Sequence, residues 1–110
     1  MQVYQFARQI EKLCHTLVKK LPHYELYGLS SQIRRAAGSV KLNIAEGAAR
    51  KTPVERRRFF EISRSSLVEV DAAFETAVDV GYLAEEDLTI LSGPANSCFA
   101  LISALISNTK

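Results

Sequence analysis

The stretch that most restricts the fold of this chain runs from Leu29 to Arg50, LSSQIRRAAGSVKLNIAEGAAR. Apolar or small residues recur at Leu29, Ile33, Ala36, Ala37, Val40, Ile44, Gly47 and Ala48, in steps of three and four that gather them on one side of a helix. Ala and Gly stand there in place of Leu and Phe, so the face is narrow and flat and lets another backbone come close. A helix of this kind is crowded by neighbours. Arg34, Arg35, Lys41 and Arg50 take the other side. Asn43 lies one helical step from Val40 and Gly47, at the small-residue seam, where a polar side chain needs a partner. Glu46 precedes Arg50 by four residues, the favourable orientation for an exposed helical ion pair.

The rest of the chain supplies three more helices. Val3, Phe6, Ala7, Ile10, Leu13, Cys14, Leu17, Val18 and Leu21 keep the same rhythm up to Pro22, which stops the first helix. The short link LPHYELYG makes the first two helices antiparallel neighbours. After Lys51, the residues Thr52-Pro53-Val54-Glu55 offer an N-cap, a first-turn proline and a capping-box glutamate. The third helix then carries Phe60, Ser63, Leu67, Val70, Phe74 and Ala77 as one stripe, flanked by Phe59, Ile62, Ser66, Ala73 and Val80, and ends at Gly81. So wide an apolar surface suits burial on two sides, by its own bundle and by another subunit. Glu85, Glu86 and Asp87 open a fourth helix with the charge its N-terminus favours. Within it, Ser92-Gly93-Pro94 is expected to kink or split the helix. The expected fold is all-α, an up-down-up-down four-helix bundle forming one domain over residues 1–110.

A chain of 110 residues holds one core and not two. No apolar run approaches a membrane span on inspection, and MQVYQFARQIEK has charges where a signal peptide needs its apolar centre, so a soluble cytoplasmic protein is expected. Cys14 and Cys98 both sit among apolar residues and read as buried free thiols, with a disulfide between the first and last helices as the alternative. Two thiols do not make a zinc site of the usual kind, and His15 adjoins Cys14 too closely to complete one. No metal or cofactor is assigned.

The order of motifs carries a resemblance. QIRRAAG, the Asn43-Ile44-Ala45-Glu46-Gly47 block, the aromatic pair Phe59-Phe60, the run Ser66-Leu67-Val68-Glu69 and the ending Gly81-Tyr82-Leu83 occur in sequence between Leu21 and Leu83. In this the chain resembles the four-helix-bundle family of 23S rRNA intervening-sequence proteins. The resemblance implies a homopentameric ring. It also implies kinship to accessory proteins of diversity-generating retroelements, which bind a reverse transcriptase and nucleic acid. Family members usually continue the fourth helix without the Gly93-Pro94 break, which bears on any interface made at that end of the bundle.

Charge is distributed unevenly. Residues 34 to 64 hold Arg34, Arg35, Lys41, Arg50, Lys51, Arg56, Arg57, Arg58 and Arg64 against Glu46, Glu55 and Glu61, about +6. From Ser65 onward Glu69, Asp71, Glu75, Asp79, Glu85, Glu86 and Asp87 face Lys110 alone, about −6. In the expected topology this makes one end of the bundle basic and the other acidic. Phosphate is the counter-charge that a basic rim selects. At least one of the three consecutive arginines is expected to lie on the helix surface or to pair with Glu55 or Glu61. No exposed aromatic residues interleave with them, so contacts to backbone and shape should dominate over base stacking.

Enzyme readings find little support. Arg8, Glu11 and His15 share a face of the first helix, a spacing used by some helical ribonucleases, but a solvated face with a Glu11–His15 contact explains it as well. Neither His15 nor His23 fits the Glu-x-x-His pattern of a bundle di-iron centre. The expectation is a non-enzymatic oligomeric scaffold holding structured RNA or a ribonucleoprotein. Arg50, Lys51, Arg56, Arg57 and Arg58 would be phosphate contacts, with Arg34, Arg35 and Arg64 as additions, and Asn43, Glu46 and Glu69 would fix helix or subunit register. The alternative is a protein-interaction module, such as an accessory subunit of a reverse transcriptase, that touches no nucleic acid.

Overall fold

A computed structural model describes residues 1–109; Lys110, the one cation set against the acidic C-terminal half, lies outside them. Four helices account for most of the chain: α1 (Gln2–Leu17), α2 (Leu29–Ala49), α3 (Pro53–Asp79) and α4 (Thr89–Asn108). Short 3-10 turns precede α2 and α4 and follow α1. Each helix packs on two others, α1 on α2 and α4, and α3 on α2 and α4, so the chain closes an all-α four-helix bundle of 43 × 25 × 19 Å.

The α2–α3 pair is the most extensive contact of the bundle. Its closeness follows from side-chain size. Ala36, Ala37, Val40 and Gly47 of α2 are buried beside Ser63, Ser66, Ala73 and Ala77 of α3, and these short side chains let the two backbones approach. At Gly47 a Cβ would stand 2.6 Å from Cε1 and 2.8 Å from Cδ1 of Phe60, so the aromatic ring occupies the space that any other residue would need. The buried Ser63 hydroxyl donates to the Val40 carbonyl at 2.7 Å and satisfies itself against the facing backbone. On the other side of the bundle α1 sends in Val3, Ala7, Ile10, Cys14 and Leu17, alternating steps of four and three.

Local chemistry sets the helix ends. The Thr52 hydroxyl accepts from the Glu55 N–H at 3.2 Å, with Pro53 in the first helical position. At the far end of α3, Gly81 takes φ +87°, the Gly81 N–H bonds Val78 O and the Tyr82 N–H bonds Ala77 O, the pair of bonds that closes a Schellman ending. Helix α2 has no capping side chain of its own. Glu25 serves instead, one carboxylate oxygen taking the Leu29 N–H at 3.0 Å and the other the Tyr82 hydroxyl at 2.8 Å. These two bonds hold the Glu25 carboxyl below its ordinary pKa of 4.5, the backbone donor contributing most.

Two expectations change. Gly93 and Pro94 do not split the fourth helix, which runs unbroken from Thr89 to Asn108. Part of the clash that pushes the residue before a proline out of helical geometry is made by its Cβ, and Gly93 has none. The carbonyl that Pro94 leaves without a donor belongs to Ile90, a residue 61% exposed, so water can reach it. The chain also contains a helical segment, Glu85–Asn108, long and apolar enough by length and composition to span a membrane, with 17% of its apolar window buried inside the bundle. Inspection of the sequence misses it because Ser, Gly, Asn and Pro interrupt the run.

Candidate nucleic-acid interface

Helix α2 stops where Arg50 turns extended (φ −74°, ψ 152°), and three residues later α3 begins. This tight turn gathers the ends of two long helices and with them Arg50, Lys51, Arg56 and Arg58. The side chains do not all face solvent. Arg56 reaches back and donates to the carbonyls of Arg50 and Lys51 at 3.3 and 3.0 Å, capping the C-terminus of α2. Arg57 donates to the Thr109 carbonyl at 2.7 Å and caps the C-terminus of α4. Two of the three consecutive arginines therefore bind backbone carbonyls, where the expectation had at least one turned aside, by lying on the helix surface or by pairing with Glu55 or Glu61.

Arg50 donates to the Glu46 carboxylate at 2.8 Å and lies over the Phe59 ring at 5.5 Å, leaving its outer edge open. Lys51 and Arg58 are exposed and make no hydrogen bond among the described residues. Arg58 borders a shallow, open depression along α3 with Glu61, Ile62, Ser65, Ser66 and Glu69. The usable positive charge of the turn is thus Lys51 and Arg58, supported by Arg50, by the half-buried Arg56 and by the positive end of the α3 dipole.

The remaining predicted contacts lie elsewhere. Arg34 donates to the Leu26 carbonyl at 3.2 Å beside the first link, and Arg35 is exposed next to it; both are about 22 Å from Arg50 along α2. Arg64 donates to Ser103 Oγ at 3.2 Å and covers the Phe99 ring at 6.0 Å, roughly 12 Å along α3 from Arg56. The eight cations do not form one surface. Their distribution also blunts the polarity read from segment charges, because Arg34, Arg35 and Lys20 sit at the end with Glu85, Glu86 and Asp87. Lys20 binds Asp87 directly at 2.9 Å.

Of the three polar residues assigned to register, one occupies the seam. Asn43 Nδ2 donates to the Ser39 carbonyl and Ser39 Oγ, both at 2.9 Å, and Ser39 Oγ lies 2.8 Å from Ser66 Oγ on α3. This chain of bonds crosses the α2–α3 contact. Glu46 is exposed and pairs with Arg50, and Glu69 is exposed with no hydrogen bond among the described residues, so neither fixes register within the chain. Sequence reasoning placed Ser63 and Ser66 on the apolar face of the third helix without giving them bonding partners, and it passed over Ser39, although serines at buried helical positions were the available signal.

The first-helix face also differs from expectation. Glu11 pairs with Lys41 of α2 at 2.7 Å and not with His15, while Arg8 donates to Gln5. Cys14 and Cys98 are buried free thiols. Burial, with the charge of Glu11 adding, pushes the Cys14 thiol up to about 12, and burial alone pushes Cys98 to about 11. Among the described residues no group of three or more His, Cys, Asp or Glu could hold a metal ion.

The architecture is shared with a crystal structure of a Bacteroides thetaiotaomicron protein of unknown function from the S23 ribosomal protein family. The TM-score is 0.76 at 20% identity, covering 94% of each chain, a likeness of fold. No curated protein matches the chain. The family described as 23S rRNA-intervening sequence protein matches residues 1–104, nearly the whole bundle. The chain belongs to that family.

Proposed function

We propose that this protein is a non-catalytic, self-associating helical scaffold that holds structured RNA through phosphate contacts at the α2–α3 turn. The observation that carries the reading is the pair Lys51 and Arg58, exposed and unengaged among the described residues at the end where α3 presents its positive dipole. Arg50 and Arg56 add to the local field while holding their neighbours. The RNA-related name of the family agrees with a phosphate-binding role. Contacts of this kind read backbone and shape, so affinity should depend steeply on salt and weakly on sequence.

The test is RNA binding by the wild type beside Lys51→Glu/Arg58→Glu, followed with a structured RNA at low salt. Arg56 and Arg57 stay in place, because their replacement would uncap α2 and α4 and confuse folding with binding. The double variant is expected to remain folded by circular dichroism and to lose at least about tenfold in affinity, with a shallower salt slope. Wild type that fails to bind RNA at low salt would reject the reading.

A further inference from the structure

Two aromatic rings stand largely in solvent. Tyr24 is 76% exposed and Tyr27 92% exposed, the two most exposed large apolar side chains among the described residues. An aromatic ring ordinarily contributes by burial, and tyrosine left open beside arginine is the composition of a binding surface, not of a core. Both rings belong to the link between α1 and α2. That link lies at the end of the bundle opposite the α2–α3 turn, about 30 Å from it along α2.

The link that shows these rings is tied down. The Glu25 N–H bonds the Pro22 carbonyl at 2.9 Å, and the Leu26 and Gly28 N–H groups bond the His23 and Glu25 carbonyls at 3.0 Å. Arg34 holds the Leu26 carbonyl, which adjoins Tyr27. Tyr24 meets Tyr82 edge to face, with ring centroids 6.2 Å apart and planes at 73°, and Tyr82 is itself held by Glu25. The rings are therefore displayed from a fixed backbone, which lowers the ordering cost of binding.

Charge at this end is divided between its two halves. From Lys19 to Arg35 the cations Lys19, Lys20, Arg34 and Arg35 meet one acid, Glu25, whose two oxygens both accept hydrogen bonds. The acids Asp79, Glu85, Glu86 and Asp87 belong to the α3–α4 half. Lys19 and Arg35 are exposed and make no hydrogen bond among the described residues. A polyanion is drawn to the α1–α2 half and repelled from the other, and the two tyrosines stand on the attractive half.

We infer that the α1–α2 link binds a single-stranded stretch of RNA, with bases stacked on Tyr24 and Tyr27 and phosphates met by Lys19 and Arg35. The inference rests on the RNA reading above and adds to it a contact with bases, remote from Lys51 and Arg58. Every base has a π face, so this end selects unpaired strand over duplex and not one sequence over another. An acidic protein segment would satisfy the cations and leave the rings unused.

The test follows a labelled oligouridylate of about ten nucleotides by fluorescence anisotropy at low salt, with circular dichroism on every variant. Wild type should bind it, and Tyr27→Ala should lose about tenfold in affinity. Tyr27→Phe keeps the ring and should bind like wild type. The chain has no tryptophan, so tyrosine emission gives a second readout: the oligouridylate should quench it in wild type and quench it less in Tyr24→Ala/Tyr27→Ala. Lys51→Glu/Arg58→Glu should bind the oligouridylate like wild type. Wild type that binds the oligouridylate through Tyr27 but binds no structured RNA supports the link and rejects the phosphate contacts at the α2–α3 turn. The inference is overturned if wild type fails to bind the oligouridylate, if Tyr27→Ala binds it equally well, or if Tyr27→Phe loses as much as Tyr27→Ala. It is overturned equally if polyglutamate, which engages the cations alone, displaces the probe as well as unlabelled oligouridylate does.

Discussion

Helix α3 packs against α2 and against α4 by opposite means. Toward α2 every shape is matched: glycine meets a phenyl ring, serine meets a carbonyl, and an asparagine–serine chain crosses the contact. Toward α4 the contact is thinner and leaves an open apolar groove. The amphipathic α2 thus makes a tight seam, while the uncharged α4 leaves a vacant surface. Residue size decides it, since small side chains permit backbone approach while Leu, Ile and Phe hold neighbours apart until something fills the spaces.

Matched substitutions on the two sides probe the difference. The largest effect is expected from paired phenylalanines. Phe60→Ala, at 3% exposure and packed on Gly47 of α2, should cost about 3–5 kcal/mol in denaturant unfolding, whereas Phe99→Ala, at 43% exposure, should cost about 1 kcal/mol. Equal losses would mean that α4 is held as firmly as α2. Next comes Gly47→Ala, which drives a methyl into Phe60 and should cost about 1–2 kcal/mol even after the gain in helix propensity. The same change at Gly93 meets nothing within 4 Å outside its chain neighbours, but it adds the Cβ that disfavours helix before Pro94, so the gain in helix propensity is offset and the net change should stay within about 0.5 kcal/mol. One substitution thus carries unequal costs on the two sides, and a thermal melt of each variant checks both.

The helices were legible in the sequence because their signals are local. The apolar rhythm of Leu29–Arg50, the Thr52-Pro53 start and the Gly81 stop depend on residues a turn or two apart. Gly93-Pro94 does not split α4, which carries Pro94 inside it. The candidate site was less legible. Arg57 finds its partner 52 residues away and Arg64 finds one 39 residues away, and no spacing rule reports such pairs. Arginines read as free cations proved to be caps for carbonyls whose position depends on the assembled bundle. Segment charge misled for the same reason, since Lys20 reaches Asp87 only once α1 and α4 lie side by side.

The two buried thiols have a use that requires no mutation. A thiol reacts as its thiolate, and both burial and raised pKa withhold that form from Cys14 and Cys98 in the closed bundle. Modification must then wait for each residue's surroundings to open, so alkylation becomes a clock for local opening. Cys98 reports α4 and Cys14 reports α1. The ratio of their rates in the native protein compares how readily the surroundings of α4 and of α1 open.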